Sequence, residues 1–412
     1  MNTYGIIILV IILLEFIVDN SVKLLNIKNL NDKLPSEFAD EYDANTYSKS
    51  QEYTRYRTKF GFVKSVFNLI LFLLFWQIGG FEYVNTITES LSEIFVIRGL
   101  YFFGIIMLAQ QILSLPFSIY STFVVEEKYG FNKTTAATFV VDLIKGLVLM
   151  VILGGLVLAL VLYIFNELGQ LSWLYAWGAL VVITLAMQYV APRWIMPLFN
   201  KYTPLEDDEL KDKIMEFSDK VEFPLQEIYI IDGSKRSTKS NAFFTGFGKN
   251  KRIALFDTLV ENHTVGELVS VLAHEIGHYK KKHIQQGMVI SIIHTGVLFF
   301  LLSIFLYDDA LYQAFYMDSS PIYAGFLYFS LLFSPIESIL SVLMNMLSRK
   351  NEFEADEFAV VGRKNQSDMI DALKKLSKDN LSNLTPHPWF VFMNSSHPPV
   401  VERIRAIKKI NI

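Results

Sequence analysis

The sequence predicts an all-α membrane protein with seven transmembrane helices and a polar cytoplasmic region that carries a small β-sheet. Three observations lead to this fold class: the composition, the number of long apolar stretches, and the alternation of basic residues between loops. Of the 412 residues, 52% are hydrophobic and 19% are charged, whereas an average soluble domain has about 25% charged residues. The composition is therefore that of a membrane protein.

Seven stretches are long and apolar enough to cross the hydrocarbon core of a bilayer, which takes about 20 residues of helix. They lie near residues 4–18, 63–80, 98–125, 143–165, 171–195, 286–306 and 321–345. The first stretch has the position of a signal peptide, but it lacks a basic beginning and no small-residue cleavage site follows it. We expect it to be retained as a membrane anchor.

Lysine and arginine alternate between the loops, and this alternation predicts the orientation. The 81–97, 166–170 and 307–320 loops contain neither residue, whereas the other connections are basic. The segment 19–61 carries Lys23, Lys28, Lys33, Lys49, Arg55, Arg57 and Lys59. Because basic loops are retained in the cytoplasm, the N-terminus is expected outside, and the polar 196–285 region and the C-terminal tail are expected inside.

Residues 196–285 are the one long stretch with the character of a soluble protein. An amphipathic helix is predicted over 206–221. Short strands are predicted at 227–232, 241–246 and 252–257, and the turn residues Gly248, Lys249 and Asn250 indicate a hairpin between the last two. Another helix is predicted from about Thr264.

These features divide the chain into two domains. Residues 1–195 form a membrane domain with five transmembrane helices. Residues 196–412 form a second domain, which includes the two remaining transmembrane helices.

Charge and cysteine content exclude several classes of function. The formal net charge is -4, so the chain lacks the basic field that would attract nucleic acid. It has no cysteine, which excludes disulfides, thiolate metal ligands and a thiol nucleophile. A metal site therefore has to use histidine and carboxylate side chains.

The pattern H-E-x-x-H occurs at residues 274–278 on a predicted helix. His274 and His278 lie one turn apart on the same face, so both imidazoles can bind one metal ion. Glu275 follows the first histidine and is placed to act on water rather than on the metal. The alternative is a solvated helix face with histidines by chance, but the apolar residues before His274 indicate a packed helix. A catalytic zinc takes three protein ligands and keeps one open position.

The third ligand has several candidates. His283 lies too close on the same helix and follows a run of lysines that indicates a solvated surface. His294 falls inside a predicted transmembrane helix. In the segment 351–359, Glu352 and Asp356 share a helical face, so one carboxylate can bind metal while the other orients an imidazole. Taken alone, this segment would indicate only a charged helix that leaves the membrane.

Several segments together resemble the type I CAAX prenyl endopeptidases, which are integral-membrane zinc metallopeptidases of the gluzincin kind. The H-E-x-x-H helix is followed by Glu352-Phe353-Glu354-Ala355-Asp356. The other similar segments are LPFSIYSTFVVEEKYGFN at 115–132, DGSKRS at 232–237 leading into Asn241-Ala242-Phe243, and Ser396-His397-Pro398-Pro399 with Glu402 and Arg403. The resemblance spans nearly the whole chain.

The resemblance implies a role for each matching residue. His274, His278 and Glu352 are expected to bind zinc, and Glu275 to activate water. The further expectations are that Asn241 contacts the substrate backbone, that His397 donates to the tetrahedral oxyanion, that Asp356 supports a metal ligand, and that Arg403 lies near the site and binds substrate. The implied fold is a ring of seven tilted helices around a large water-filled chamber, with the metal at its cytoplasmic end.

Five polar residues in predicted transmembrane helices fit such a chamber. Polar side chains are costly in lipid and are expected to face protein or water. The residues are Glu15, Gln110, Gln111, His294 and Glu337. Ordinary hydrogen bonds between helices are the alternative, at least for the glutamines.

The implied substrate is a protein or peptide with an isoprenylated cysteine, from which a C-terminal tripeptide is removed. A membrane quality-control protease without prenyl preference would use the same site. Outside the enzymes, the alternative is a transporter or a scaffold with structural zinc, in which Glu275 would have no purpose. The sequence ends soon after His397 without an organelle-retention signal, which favours a bacterial member in the cytoplasmic membrane over one in the endoplasmic reticulum. No feature implies an oligomer.

Overall fold

Seven long apolar helices dominate the computed structural model, which describes residues 1–206, 208–245 and 251–412. We number them span 1 to span 7: Thr3–Lys28, Ala44–Gln77, Phe95–Glu126, Ala136–Glu167, Gly169–Leu198, His283–Phe305 and Ile322–Arg363. The predicted number of transmembrane helices is confirmed. Each span is longer than the apolar stretch that predicted it, because the helix continues into polar residues at its ends.

The described residues form these helices, labelled in chain order: α1 Thr3–Lys28, α2 Ala44–Gln77, α3 Gly80–Leu91, α4 Phe95–Tyr120, α5 Ala136–Leu149, α6 Gly155–Glu167, α7 Ser172–Val190, α8 Asp208–Lys220, α9 Asp257–Asn262, α10 Val265–Lys280, α11 His283–Phe305, α12 Asp309–Gln313, α13 Ile322–Arg363, α14 Ser367–Asp379, α15 Pro388–Asn394 and α16 Val400–Ile407. Turns of π-helix at Ser121–Glu126, Met150–Gly154 and Ala191–Ile195 continue spans 3, 4 and 5 without a break.

The spans form a closed ring in chain order, in which each contacts the next and span 7 returns to span 1. Between spans 2 and 3, the rings of Phe67 and Phe117 lie 5.0 Å apart. The ring closes where Ser338 of span 7 donates a hydrogen bond to Glu15 of span 1 at 3.2 Å. Only 6% to 22% of the most apolar part of each span is buried, as expected for helices that surround a chamber and not for a solid bundle.

Aromatic packing closes one end of this ring. Trp76, Phe102, Leu162 and Tyr323 come from four different spans and belong to one buried cluster. In span 7, Tyr323 precedes Glu352 by about 40 Å of helix at 1.5 Å per residue. The closed end is therefore remote from the residues that carry the predicted chemistry.

A small sheet lies in the region with soluble character. Its strands are β1 Tyr202–Pro204, β2 Leu225–Ile231, β3 Ala242–Thr245 and β4 Lys251–Phe256, in the order β1-β2-β4-β3. Strand β2 runs parallel to β4, whereas β3 and β4 are antiparallel neighbours. The three predicted strands and the amphipathic helix, which is α8, are confirmed. The predicted turn at 248–250 lies outside the described residues, and β1 was not predicted.

One apolar core joins this sheet to helices α8 and α10. Ile253 and Leu255 of β4 are fully buried against Leu268 and Leu272 of α10. Burial of one such side chain contributes about 1.5–3 kcal/mol. The apolar face of α10 therefore holds its polar face in a fixed position.

Candidate metal centre and active site

Helix α10 carries the H-E-x-x-H pattern. The start of this helix and its packing determine the direction in which the side chains of His274 and His278 point. The helix begins with a capping box, in which Thr264 accepts from the backbone of Glu267 and the Glu267 carboxylate accepts from that of Thr264. A capping box provides hydrogen-bond acceptors for backbone N–H groups that the first turn of a helix leaves unpaired. Gly277 then allows α10 to approach α13 closely: a Cβ on Gly277 would lie 3.1 Å from the Cα of Ala355. This close approach brings Glu352 beside the two histidines.

Three side chains converge at this crossing of α10 and α13. The Nε2 atoms of His274 and His278 are 3.1 Å apart, and each lies 3.4 Å from an oxygen of Glu352. In the described residues these form the one group of three or more metal-ligating side chains with all donor atoms within 4.8 Å. His274 and Glu352 are 6% and 4% exposed. The structure therefore brings together the three residues predicted as metal ligands, although Glu352 follows His278 by 74 positions.

The chemistry of this group fits a metal ion. Glu352 Oε2 is buried and has no hydrogen-bond partner. The nearest cation is the guanidinium of Arg403, whose Nη1 lies 3.3 Å from this oxygen. A metal ion would supply the close contact that the buried oxygen lacks. Two imidazoles with one carboxylate are a donor set of catalytic zinc sites.

An ion-paired carboxylate supports His274. Its Nδ1 lies 2.9 Å from Asp356 Oδ1, and Asp356 in turn binds both Nε and Nη2 of Arg403, at 2.8 and 2.6 Å. Burial by itself lowers the pKa of His274, but its contacts with Asp356 and Glu352 outweigh burial and raise the pKa to about 9. Asp356 thus links the imidazole of His274 to the guanidinium of Arg403.

A second histidine supports His278. The Nδ1 atoms of His278 and His283 lie 3.0 Å apart, and His283 Nε2 lies 3.2 Å from Glu354 Oε2. The expectation that His283 is solvated is wrong, because His283 is buried. The helix ends at Lys280, Lys282 adopts a φ of 64°, and α11 begins at His283. This break between the two helices places the imidazole of His283 beside that of His278.

His294 is not part of this group. Its Nε2 lies 2.9 Å from Glu337 Oε1, and this contact pairs span 6 with span 7. With Glu15 bonded to Ser338, three of the five polar residues predicted within spans contact another span. Gln110 is exposed and Gln111 is half-buried.

A cavity of about 180 Å³ is lined by two of the three convergent side chains, His274 and Glu352. Its other lining residues include Asn241, Glu275, His397 and Arg403. Burial raises the pKa of Glu275, which makes its carboxylate a stronger base. Asn241 is exposed immediately before β3, and its side-chain oxygen accepts from the backbone N–H of Ala242. Arg403 also lies 3.3 Å from Glu352.

His397 stands at the open rim of this cavity. Its side chain is 66% exposed, and its Nε2 lies 3.3 Å from Glu352 Oε1. Its Nδ1 is 3.0 Å from the hydroxyl of Ser396. A hydroxyl that donates to Nδ1 leaves the ring proton on Nε2, which is the nitrogen that contacts Glu352.

Two family models cover this chain almost completely. The first, described as CAAX prenyl protease N-terminal, five membrane helices, matches residues 23–201. The second, Peptidase family M48, matches residues 204–411. The chain belongs to the CAAX prenyl protease family.

Similar proteins of this CAAX prenyl protease family occur in several organisms. The chain is 39% identical to the probable CAAX prenyl protease 1 of Schizosaccharomyces pombe, over 92% of this chain and 82% of that protein. It is 34% identical to the CAAX prenyl protease 1 homolog of Homo sapiens, over 91% and 88%. The crystal structure of S. mikatae Ste24p superposes with a TM-score of 0.93 and 36% identity, over 99% of both chains.

Membership of the CAAX prenyl protease family confirms three predictions. The chain is a multi-pass membrane protein with the helical fold expected, it is a metalloendopeptidase, and its family implies a bound metal. His274, His278 and Glu352 are the described residues that fit that metal. The reported relatives are eukaryotic, and a bacterial source stays a prediction.

Proposed function

We propose that this membrane metalloendopeptidase is zinc-dependent and removes the C-terminal tripeptide from CAAX-type prenylated proteins. One observation carries the proposal: His274, His278 and Glu352 converge, and His274 and Glu352 line a cavity that Glu275 also lines. The substrate class comes from the names of relatives such as the CAAX prenyl protease 1 of Saccharomyces cerevisiae, 37% identical over 92% of this chain.

Zinc is the metal that suits this donor set best, because histidine nitrogens and one carboxylate are its usual ligands in peptidases. When bound, zinc supplies a Lewis acid that makes water more acidic and polarises the scissile carbonyl. The protein's part is to hold the two imidazoles in the correct orientation. Asp356 does this for His274, and His283 for His278.

Glu275 is the proposed general base. It takes a proton from the attacking water and later delivers it to the leaving amine, a role that needs a carboxylate in the cavity with a pKa shifted toward neutrality. Glu275 lines the cavity, and burial raises its pKa. Both features support the assignment.

His397 is the proposed donor to the carbonyl oxygen, on which negative charge develops. A donor aimed at that position typically lowers the barrier by about 3–4 kcal/mol. The rim position of His397 and its contact with Ser396 support this role. Arg403 orients Asp356 and Glu352 in this proposal, and its contact with substrate stays a prediction.

Strand β3 is the proposed binding edge for the peptide. It is the last strand of the sheet order and pairs with β4 on one side. An extended peptide can add to such an edge through backbone hydrogen bonds, which fix its register. Asn241 precedes this edge and lines the cavity, which supports its contact with the substrate backbone.

We also propose that the metal site faces the cytoplasm. The support is the alternation of basic and non-basic loops, which puts the region around α10 on the positive side. Since the chain has no cysteine, a single cysteine introduced at exposed Lys235 would report the orientation. Labelling of sealed inverted vesicles with an impermeant maleimide is expected to reach it, and labelling only in right-side-out vesicles would refute this orientation.

The substrate is tested with a farnesylated peptide and its unmodified twin, assayed with the purified protein in proteoliposomes. We expect faster release of the tripeptide from the farnesylated peptide, inhibition by a zinc chelator, and recovery when zinc is restored. Equal cleavage of both peptides would instead support a quality-control protease without prenyl preference. Absence of any chelator-sensitive cleavage would reject the proposal.

A further inference from the structure

The loop 232–240 connects β2 to β3 and runs from the sheet to the adjacent ends of the spans. It contains the DGSKRS segment of the sequence. Ser237 forms an isolated β-bridge with Asn132, and the backbone N–H of Lys133 donates to the carbonyl of Arg236 at 3.0 Å. The loop is therefore paired with the end of the 115–132 segment, and the two segments form one structure.

Arg236 fastens the loop to spans 4 and 5. Its Nε and Nη2 donate to the two oxygens of Asp142 at 2.7 and 2.9 Å, and Nη2 also donates to the carbonyl of Phe199 at 2.8 Å. Asp142 lies near the start of span 4, and Phe199 follows the end of span 5. Both side chains of the ion pair are 23% exposed. A bidentate pair of this kind fixes orientation as well as distance.

Lys239 fastens the same loop to spans 2 and 3. Its Nζ donates to Glu126 at 2.8 Å and to the hydroxyl of Tyr53 at 2.7 Å. It also lies 4.2 Å from the ring centroid of Phe131, within reach of a cation–π contact. Tyr53 donates to the other oxygen of Glu126 at 2.7 Å. The ammonium group is thus held on several sides by the membrane domain.

The loop leads directly into the substrate-binding edge. Asn241 follows Lys239 by two positions, and its carbonyl accepts from the backbone N–H of Phe256 at 3.0 Å. Thr258 donates to the carbonyl of Lys239 at 3.1 Å. The ion pairs of Arg236 and Lys239 therefore hold the loop immediately before Asn241, which lines the cavity.

We propose that Arg236 and Lys239 are positioning residues that set the distance between the part of a substrate held by the membrane spans and the part held along β3. The inference rests on the proposed function. A lipidated substrate is held at two places, in the membrane domain and at the sheet, so its scissile bond meets Glu275 only if both places are in register. An unmodified peptide is held by the sheet alone and does not depend on this distance.

The test uses the full chain in proteoliposomes with the variants Asp142→Asn and Lys239→Met, alone and combined. Lys235→Met is the matched control, since Lys235 is exposed on the same loop. Each protein is assayed with the farnesylated peptide and its unmodified twin, and metal content and melting temperature are measured. For the combined variant we expect kcat/KM for the farnesylated peptide to fall about tenfold or more. The unmodified peptide, the metal content and the control are expected to be unchanged.

Two other outcomes would contradict the inference. Equal losses on both peptides, with lower metal content or melting temperature, would show that the loop is merely structural and would overturn the inference. Unchanged kinetics in all variants would also overturn it. The wild-type protein reports separately on the proposed function: if it does not prefer the farnesylated peptide, the substrate assignment fails and the inference fails with it. The double variant Asp142→Arg with Arg236→Asp exchanges the two charges of the ion pair. It should regain part of the preference for the farnesylated peptide that is lost in Asp142→Asn.

Discussion

The Nδ1 atoms of His278 and His283 lie 3.0 Å apart. A metal on Nε2 of His278 requires the ring proton on Nδ1, so His283 Nδ1 has to accept it. His283 then carries its own proton on Nε2, which faces Glu354 at 3.2 Å. The two contacts define one tautomer for each ring and hold His278 toward the metal.

His283→Phe is therefore expected to weaken metal binding about 10- to 100-fold, because His278 loses the acceptor that orients it. The dissociation constant is measured by competition with a chelating dye. The matched control is His263→Phe, since His263 is equally buried but bonds to the carbonyl of Leu259. Equal metal affinity in the His283 variant and the wild type would show that His278 needs no such support.

Glu275→Ala is expected to keep its metal and to lose peptide hydrolysis by about 10²- to 10⁴-fold, because the base is removed while the ligands remain. Metal content is measured by elemental analysis, and hydrolysis by release of the tripeptide. Activity near that of the wild type would remove Glu275 from the mechanism.

Glu352→Ala is expected to lower metal content, because two imidazoles alone bind zinc poorly. Glu357→Ala, on the exposed side of the same helix, is the control and should keep full metal content. Full occupancy in the Glu352 variant would mean that another side chain is the third ligand.

Gly277→Ala is expected to destabilise the protein by about 1–3 kcal/mol and to reduce metal content. The new methyl group would meet the backbone of Ala355 at 3.1–3.2 Å, so α10 and α13 would have to separate. Gly287, beside which no atom lies within 4 Å, provides the control Gly287→Ala. Thermal unfolding in detergent measures the stability, and equal melting temperatures for the two variants would contradict the packing argument.

The transmembrane helices, the small sheet and the H-E-x-x-H helix were predicted from local patterns. Hydrophobic length identifies a transmembrane helix, and spacing along one helix places His274 and His278 on one face, without knowledge of any distant residue. Strand β1, of three residues, was missed because so short an element has no pattern of its own and forms only by pairing with β2.

The sequence by itself determined the membrane class, the number of spans, two of the three convergent side chains and, through a resemblance to a family, the identity of the third. Only the tertiary structure decided three contacts. They are the approach of Glu352 to His274, the contact of His283 with His278, and the ion pair of Arg236 with Asp142. The physical reason is the range of the interactions. Periodicity and hydropathy act within one element, whereas these contacts depend on how α10, α11, α13 and the spans pack against one another.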